Sequence, residues 1–148
     1  MSLKVCQVCA VDFTLKNFLV PLINGIQDKG WVVRSICSSG PHVSDLRQSG
    51  MQITCIPIAR SLNPILAFRS FILLFRHFRR HRYDVVHVHT PVASIVGRIA
   101  ARFAGVPLII YTAHGFYFHD NMHFLFRHFI VSLEKISGFF RLIVLSKS

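Results

Sequence analysis

Acidic residues are scarce: 6 Asp and Glu stand against 17 Lys and Arg in 148 residues, and Glu134 is the single glutamate. A mechanism that needs two glutamates is therefore excluded within these residues. The formal charge of +11 asks for an anionic partner: nucleic acid, an acidic membrane face or a phosphorylated small molecule. The plainer reading is a basic surface that only aids solubility. Long apolar runs are also lacking. The most apolar stretch, Pro64 to Phe75, is interrupted by Arg69 and followed by Arg76, Arg79, Arg80 and Arg82. A spanning helix needs roughly 20 mainly apolar residues. The start, MSLKVCQVC, lacks a signal-peptide core and cleavage site, so a cytoplasmic chain is expected, with any membrane contact peripheral.

Cysteine is limited to Cys6, Cys9, Cys37 and Cys55, all in apolar, strand-like runs. In the cytoplasm these should be reduced and buried. Cys6 and Cys9 form a C-x-x-C, but residues three apart on a strand face opposite sides and cannot share a metal. No zinc or redox centre is expected. Phosphate-binding and nucleophile signatures are missing too. The loop after the first apolar run reads AVDFTLKNF rather than G-x-G-x-x-G, and no Walker A or G-x-S-x-G occurs. That weakens dehydrogenase, kinase and hydrolase readings.

What is present alternates between strand and helix. Apolar runs at Leu3–Val11, Trp31–Cys37, Gln52–Ile58, Asp84–His89, Val106–Thr112 and Leu142–Leu145 predict strands. Helical spacing predicts helices over Phe18–Asp28, Val43–Gln48, Pro64 to about His81, Pro91 to a stop at Gly105, and Asn121 to about Ser137. Asn63 and Thr90 are the expected caps of the third and fourth, each followed by proline at the first helical position. Ile65, Phe68, Ile72 and Phe75 form the expected buried stripe of the long helix. Val92, Ile95, Val96, Ile99 and Phe103 form that of the next. This βα repetition predicts an α/β fold with a parallel, doubly wound sheet.

In such folds ligands bind outside the C-terminal ends of the strands, at the switch point. Asp12 to Thr14 follow the first strand, Arg60 the third, His89-Thr90 the fourth and His114-Gly115-Phe116 the fifth. His87 and His89 share a face, which would suit a metal pair, but no carboxylate or third ligand accompanies them. The alternative is a buried His87 and a mouth-facing His89 beside a helix N-terminus, where phosphates or sugar hydroxyls are held. His114 can bind a hydroxyl or move a proton near neutral pH, or simply bond a carbonyl. Gly115 lets a ligand approach the backbone. Asp12 can act as base, hydroxyl acceptor or helix cap. The run RHFRRHR at Arg76–Arg82 could meet nucleic acid, but no recognised module accompanies it. Asn121–Lys135 is basic with surplus apolar residues, which fits an anionic membrane surface or a partner domain.

The block YDVVHVHTPVASIVGRIAARFAGVPLIIYTAHGFYFHDN (Tyr83 to Asn121) resembles glycosyltransferase family 4, of the GT-B fold. The nearest likeness is to bacterial enzymes of capsule, exopolysaccharide and O-antigen assembly. VDFTLKNFLVPLI, the R-x-x-N-P at Arg60 and the L-E-K at Leu133–Lys135 extend it over nearly the whole chain. The resemblance implies two Rossmann-like domains facing a cleft. The N-terminal one takes the acceptor, often a lipid-linked sugar at the cytoplasmic leaflet. The C-terminal one binds the nucleotide-sugar and carries E-x7-E. Transfer is retaining and usually needs no metal.

By that resemblance the cleft histidine falls on His114, with Gly115 beside it. The first-loop residues fall on Asp12, Phe13 and Thr14, and the strand-four pair falls on His89 and Thr90. Phe140-Arg141 stands where the family usually has an acidic residue, and a single glutamate cannot make E-x7-E. The expectation is one Rossmann-like acceptor-side half over residues 1–148, from a truncated product or a split enzyme, inactive or nearly so alone. No cofactor is expected on it, since the nucleotide-sugar would bind the other half. Expected partners are a lipid-linked or saccharide acceptor, an anionic membrane surface at the inner face of the plasma membrane and a C-terminal-half subunit, without nucleic acid. The alternative is a non-catalytic membrane- or partner-binding module.

Overall fold

Short apolar runs bounded by glycine, proline and serine favour strands buried on both faces. The computed structural model of the chain describes residues 2–60, 63–113 and 142–146. Six such runs pair in parallel: β1 (Lys4–Val8), β2 (Val32–Cys37), β3 (Ile53–Cys55), β4 (Val85–His89), β5 (Leu108–Ala113) and β6 (Leu142–Ser146). Their order is β3-β2-β1-β4-β5-β6. Val5 lies opposite both Val33 and Val85, and Val88 opposite Tyr111. The order reverses between β1 and β4, which makes that gap the switch point of a Rossmann-like sheet.

Helices cover both faces. On one side a continuous helical segment runs through α1 (Asp12–Thr14), a π-helical stretch (Leu15–Leu19) and α2 (Val20–Gln27). It begins earlier than the expected Phe18. Pro21 has no N–H to offer the carbonyl of Asn17, and the wider π-turn accommodates the gap. Leu15, Leu19 and Ile23 pack there on Val5, Cys9, Val33 and Cys37, joined by α3 (Val43–Gln48). On the other face α4 (Pro64–His81) and α5 (Pro91–Phe103) cover Cys6, Val8, Val86 and Val88. Cys6 and Cys9 thus enter different cores, as their spacing requires.

The buried faces of α4 and α5 differ from the expected ones. In α4 the sheet takes Ser70, Leu74 and Phe78, while Ile65 is 77% and Phe68 65% exposed. Ile72 and Phe75 are only partly buried. α4 is apolar around more than half its circumference, so periodicity allows two stripes. The sheet selects the one in which Leu74 and Phe78 interlock with β1 and β4. In α5 the small residues Ala93, Ala100 and Ala101 face inward with Val96, whereas Phe103 is 69% exposed and Ile99 is also exposed. Gly97 shows why: a Cβ there would meet Val88 Cγ1 at 2.9 Å. The helix lies too close to β4 for large side chains. The expected helix over Asn121–Ser137 lies outside the described residues.

Candidate functional site

Because all six strands are parallel, the segments leaving their C-terminal ends share one edge of the sheet. Those after β1 and β4 leave adjacent strands at the switch point: Asp12–Thr14 from one, Thr90 from the other. Arg60 follows β3, three strand spacings from β4, so about 14 Å of sheet width separates it from Thr90. His114 and Gly115 lie outside the described residues.

Asp12 is buried, and its carboxylate is used twice. Oδ1 accepts from the N–H of Phe13 at 2.9 Å, and Oδ2 accepts from the N–H of His42 at 2.7 Å. It thereby ties the loop after β1 to the loop after β2. Gly40 is needed beside it, because a Cβ at that position would collide with the carboxylate. These contacts anchor backbone, and the expected helix cap is not formed, because the N-cap position of α1 belongs to Val11 and no side chain caps it. Phe13 is exposed at the rim, its ring 6.5 Å from that of His42. Lys16 Nζ donates to His42 Nδ1 at 3.2 Å, which adds a cation to the same lip. Thr14 is buried.

His87 and His89 share a face, with ring centroids 4.0 Å apart, and both are buried; neither is mouth-facing. His87 Nε2 pairs with Thr112 Oγ1 at 2.7 Å. His89 Nε2 pairs with Gln7 Oε1 at 2.8 Å; since the carbonyl accepts, the imidazole N–H donates. Gln7, His87, His89 and Thr112 form a polar row across three strands, continued on β2 by the buried Ser35 opposite Gln7. Among the described residues no group of three His, Cys, Asp or Glu is arranged to hold a metal.

Thr90 sits at the N-cap of α5, yet its side chain makes no cap hydrogen bond, and its φ is 69° with ψ 141°. A β-branched residue at positive φ is strained. Its hydroxyl oxygen is shielded from solvent without a partner. The expected cap is therefore not formed; the chain instead turns sharply so that α5 can start over the switch point. Asn63 is the contrasting case, with Oδ1 accepting from Ile65 at 3.0 Å and Leu66 at 3.2 Å.

Arg60 lines a cleft of about 520 Å³ with Ile58, Leu66, Arg69 and Ser70. Ser70 Oγ is occupied in structure, accepting from Ala59 N–H at 2.9 Å. Gln7 and Arg98 stand out only in the structure. Arg98 is a buried cation on α5 whose guanidinium lies 5.0 Å from the Tyr111 ring centroid, with Nε donating to Ser94 O at 3.2 Å. The available signal for both was a lone polar side chain inside an apolar run, LKVCQVC and SIVGRIAA.

The cysteines are free. Burial pushes the Cys6 and Cys9 thiols far above their ordinary range and that of Cys37 up to about 12. They are packing residues, not nucleophiles.

Residues 4–138 match the family model described as glycosyl transferase 4-like. Among curated proteins, the chain is 31% identical over 115 residues to the UDP-Gal:alpha-D-GlcNAc-diphosphoundecaprenol alpha-1,3-galactosyltransferase of Escherichia coli, covering 70% of this chain and 30% of that protein. The chain spans about 30% of the length of the curated relatives it matches. Among solved structures, a glycosyltransferase from Rickettsia africae ESF-5 superposes with TM-score 0.71 at 14% identity, over 99% of this chain and 43% of that one. MurG of Acinetobacter baumannii gives 0.66 at 16% identity, over 97% and 41%. At these identities the structures speak for the fold alone.

Proposed function

Because the chain belongs to the glycosyl transferase 4-like family, we propose that it forms the acceptor-binding side of a glycosyltransferase. The acceptor is a lipid-linked or polysaccharide sugar at the cytoplasmic membrane face. The sugar comes from a nucleotide-sugar held by a second, donor-binding unit, on the same polypeptide or another. These 148 residues contain one glutamate and cannot supply a paired-glutamate donor motif, so transfer requires that second unit.

The observation that carries this reading is the convergence of two segments at the switch point, where folds of this kind bind ligands. There the Asp12–Thr14 segment and the strained Thr90 leave neighbouring strands beside the N-terminus of α5. Asp12 acts by holding the lip through Phe13 and His42, leaving Phe13 and Lys16 on it to meet a sugar ring and an anionic group. His89 is buried and acts through its neighbours as a positioning residue. His114, with Gly115, is the group assigned to the reacting centre. Arg60 and its cleft form a separate anion-binding subsite at the edge of the same rim. The relative's acceptor, a diphosphoundecaprenol-linked sugar by name, supports an acceptor with phosphate and lipid.

The test is a transfer assay with lipid-linked acceptor and nucleotide-sugar, using this chain with its donor-binding unit. Product should be lost with His114→Ala; equal product from that variant removes His114 from the reacting centre. A second reading, a non-catalytic membrane- or partner-binding module, is favoured by the exposed apolar side chains of α4. It predicts no transfer with any donor unit but retained binding to vesicles.

A further inference from the structure

We infer that the outer face of α4, together with Phe103 at the end of α5, is the surface that docks on an anionic bilayer. The inference deepens the proposed function by naming the face that meets the membrane. It does not need sugar transfer to be true, and its test uses neither sugar substrate.

Four observations carry it. First, Ile65, Phe68 and Phe103 are large apolar side chains left exposed, with Leu66 exposed beside Ile65. Second, the apolar residues are contiguous rather than scattered. The Phe68 and Phe71 rings stack at 6.3 Å, Phe71 and Phe75 at 6.0 Å, and Phe103 meets Phe71 edge-on at 5.9 Å. Phe71 and Phe75 are anchored against the sheet-side core, so the strip has a fixed base. Exposed apolar patches of this kind mark interaction surfaces.

Third, the charges around the strip have one sign. α4 and α5 contain no Asp or Glu, while Arg69 and Arg76 are exposed on α4. Neither has a carboxylate within ion-pair reach among the described residues. Unpaired guanidinium groups beside aromatic rings match a layer of lipid phosphates above an acyl boundary. Fourth, α4 lies on a flank of the sheet, and its first turn reaches the strands' C-terminal edge. Laid flat on a bilayer, it brings the cleft between Arg60 and Arg69 to the headgroup level, where a lipid-borne acceptor would be presented. No described helix is long and apolar enough to cross the membrane, so the contact is interfacial.

The test is co-sedimentation of the chain with vesicles of phosphatidylcholine, with and without phosphatidylglycerol. The unaltered chain should bind the phosphatidylglycerol vesicles and lose binding as salt rises. The exposed triple variant Ile65→Ser/Phe68→Ser/Phe103→Ser should bind them about tenfold more weakly or worse while keeping its melting temperature. Arg69→Glu/Arg76→Glu should lose the preference for anionic vesicles. The inference is overturned by a triple variant that binds as tightly as the unaltered chain. It is equally overturned by an unaltered chain that ignores phosphatidylglycerol, or by one that is a dimer in solution and is only made monomeric by the triple substitution.

Should the triple variant fail to fold, Phe68→Trp in a Trp31→Phe background reads the same contact by brominated-lipid quenching. Quenching supports docking through this face; an unquenched Trp counts against it.

Discussion

The Asp12 carboxylate fills the space in which any residue but glycine at position 40 would have to place its Cβ. The loops after β1 and β2 are therefore built around one buried carboxylate, and the lip at the switch point depends on it. Gly40→Ala should cost about 1–3 kcal/mol through displacement of Asp12. In an Asp12→Ala background the same change should cost under about 0.5 kcal/mol, since the obstacle is gone. Urea denaturation of the four proteins of this cycle measures the coupling. Equal costs in both backgrounds would show that the two positions are independent.

Gly97 makes a comparable statement about α5. In an exposed helix, alanine is more stable than glycine by about 1 kcal/mol. Here the added methyl meets Val88 in the centre of the sheet. Gly97→Ala should therefore destabilise by about 1–3 kcal/mol despite the better propensity. Thermal melts check this, and Val88→Ala should recover part of the loss due to the added methyl.

Thr90 should invert the usual ranking of small residues. Its φ of 69° costs a non-glycine residue about 1–3 kcal/mol. Thr90→Gly relieves that strain and Thr90→Ala does not. The glycine variant should then melt higher than the alanine variant. The same relief should loosen the turn into α5 and lower transfer in the reconstituted assay.

Acid should weaken the chain through His77. Burial, then the nearby charges of His81, Arg34 and Arg80, lower its pKa from 6.5 to about 4. Its Nε2 shares a hydrogen bond with the Tyr83 hydroxyl at 2.9 Å, and Arg34 donates to His81 Nδ1 at 2.9 Å. Between those two pH values the unfolded chain takes up a proton that the folded chain refuses. The contribution is whole above pH 6.5, is lost as pH falls toward about 4 and changes no further below it. In His77→Gln the decline of melting temperature across this window should be shallower.

Where local chemistry decides a feature, it was legible. Asn63 followed by Pro64 marks the start of α4, and Val43–Gln48 holds the bounds expected for α3. Opposite faces for Cys6 and Cys9 follow from strand geometry. Which side of a helix is buried was less legible. Ile65 and Phe68 look as core-like as Leu74 and Phe78, and only the neighbouring sheet distinguishes them. In α5 the close approach to Val88 makes alanine and glycine the inward residues, against the usual weighting of large apolar ones.

At the rim, the spacing of His87 and His89 correctly gave a shared face. The depth of His89 depends on Gln7 reaching it from 82 positions away. The φ of Thr90 is likewise imposed by where α5 must begin, not by threonine itself.

Cys6 on β1 and Cys9 just past its end belong to different halves of the interior, one under α4 and α5, the other under the π-helical segment. Each thiol is thus a timekeeper for its own side. Under mild denaturant, a cysteine-modifying reagent followed by peptide mapping would date when each layer of helices lifts from the sheet. Cys55, already partly exposed, would mark time zero. If both tags arrive together the two layers open as one; if Cys6 is tagged first, the flank carrying the aromatic strip is the looser cover.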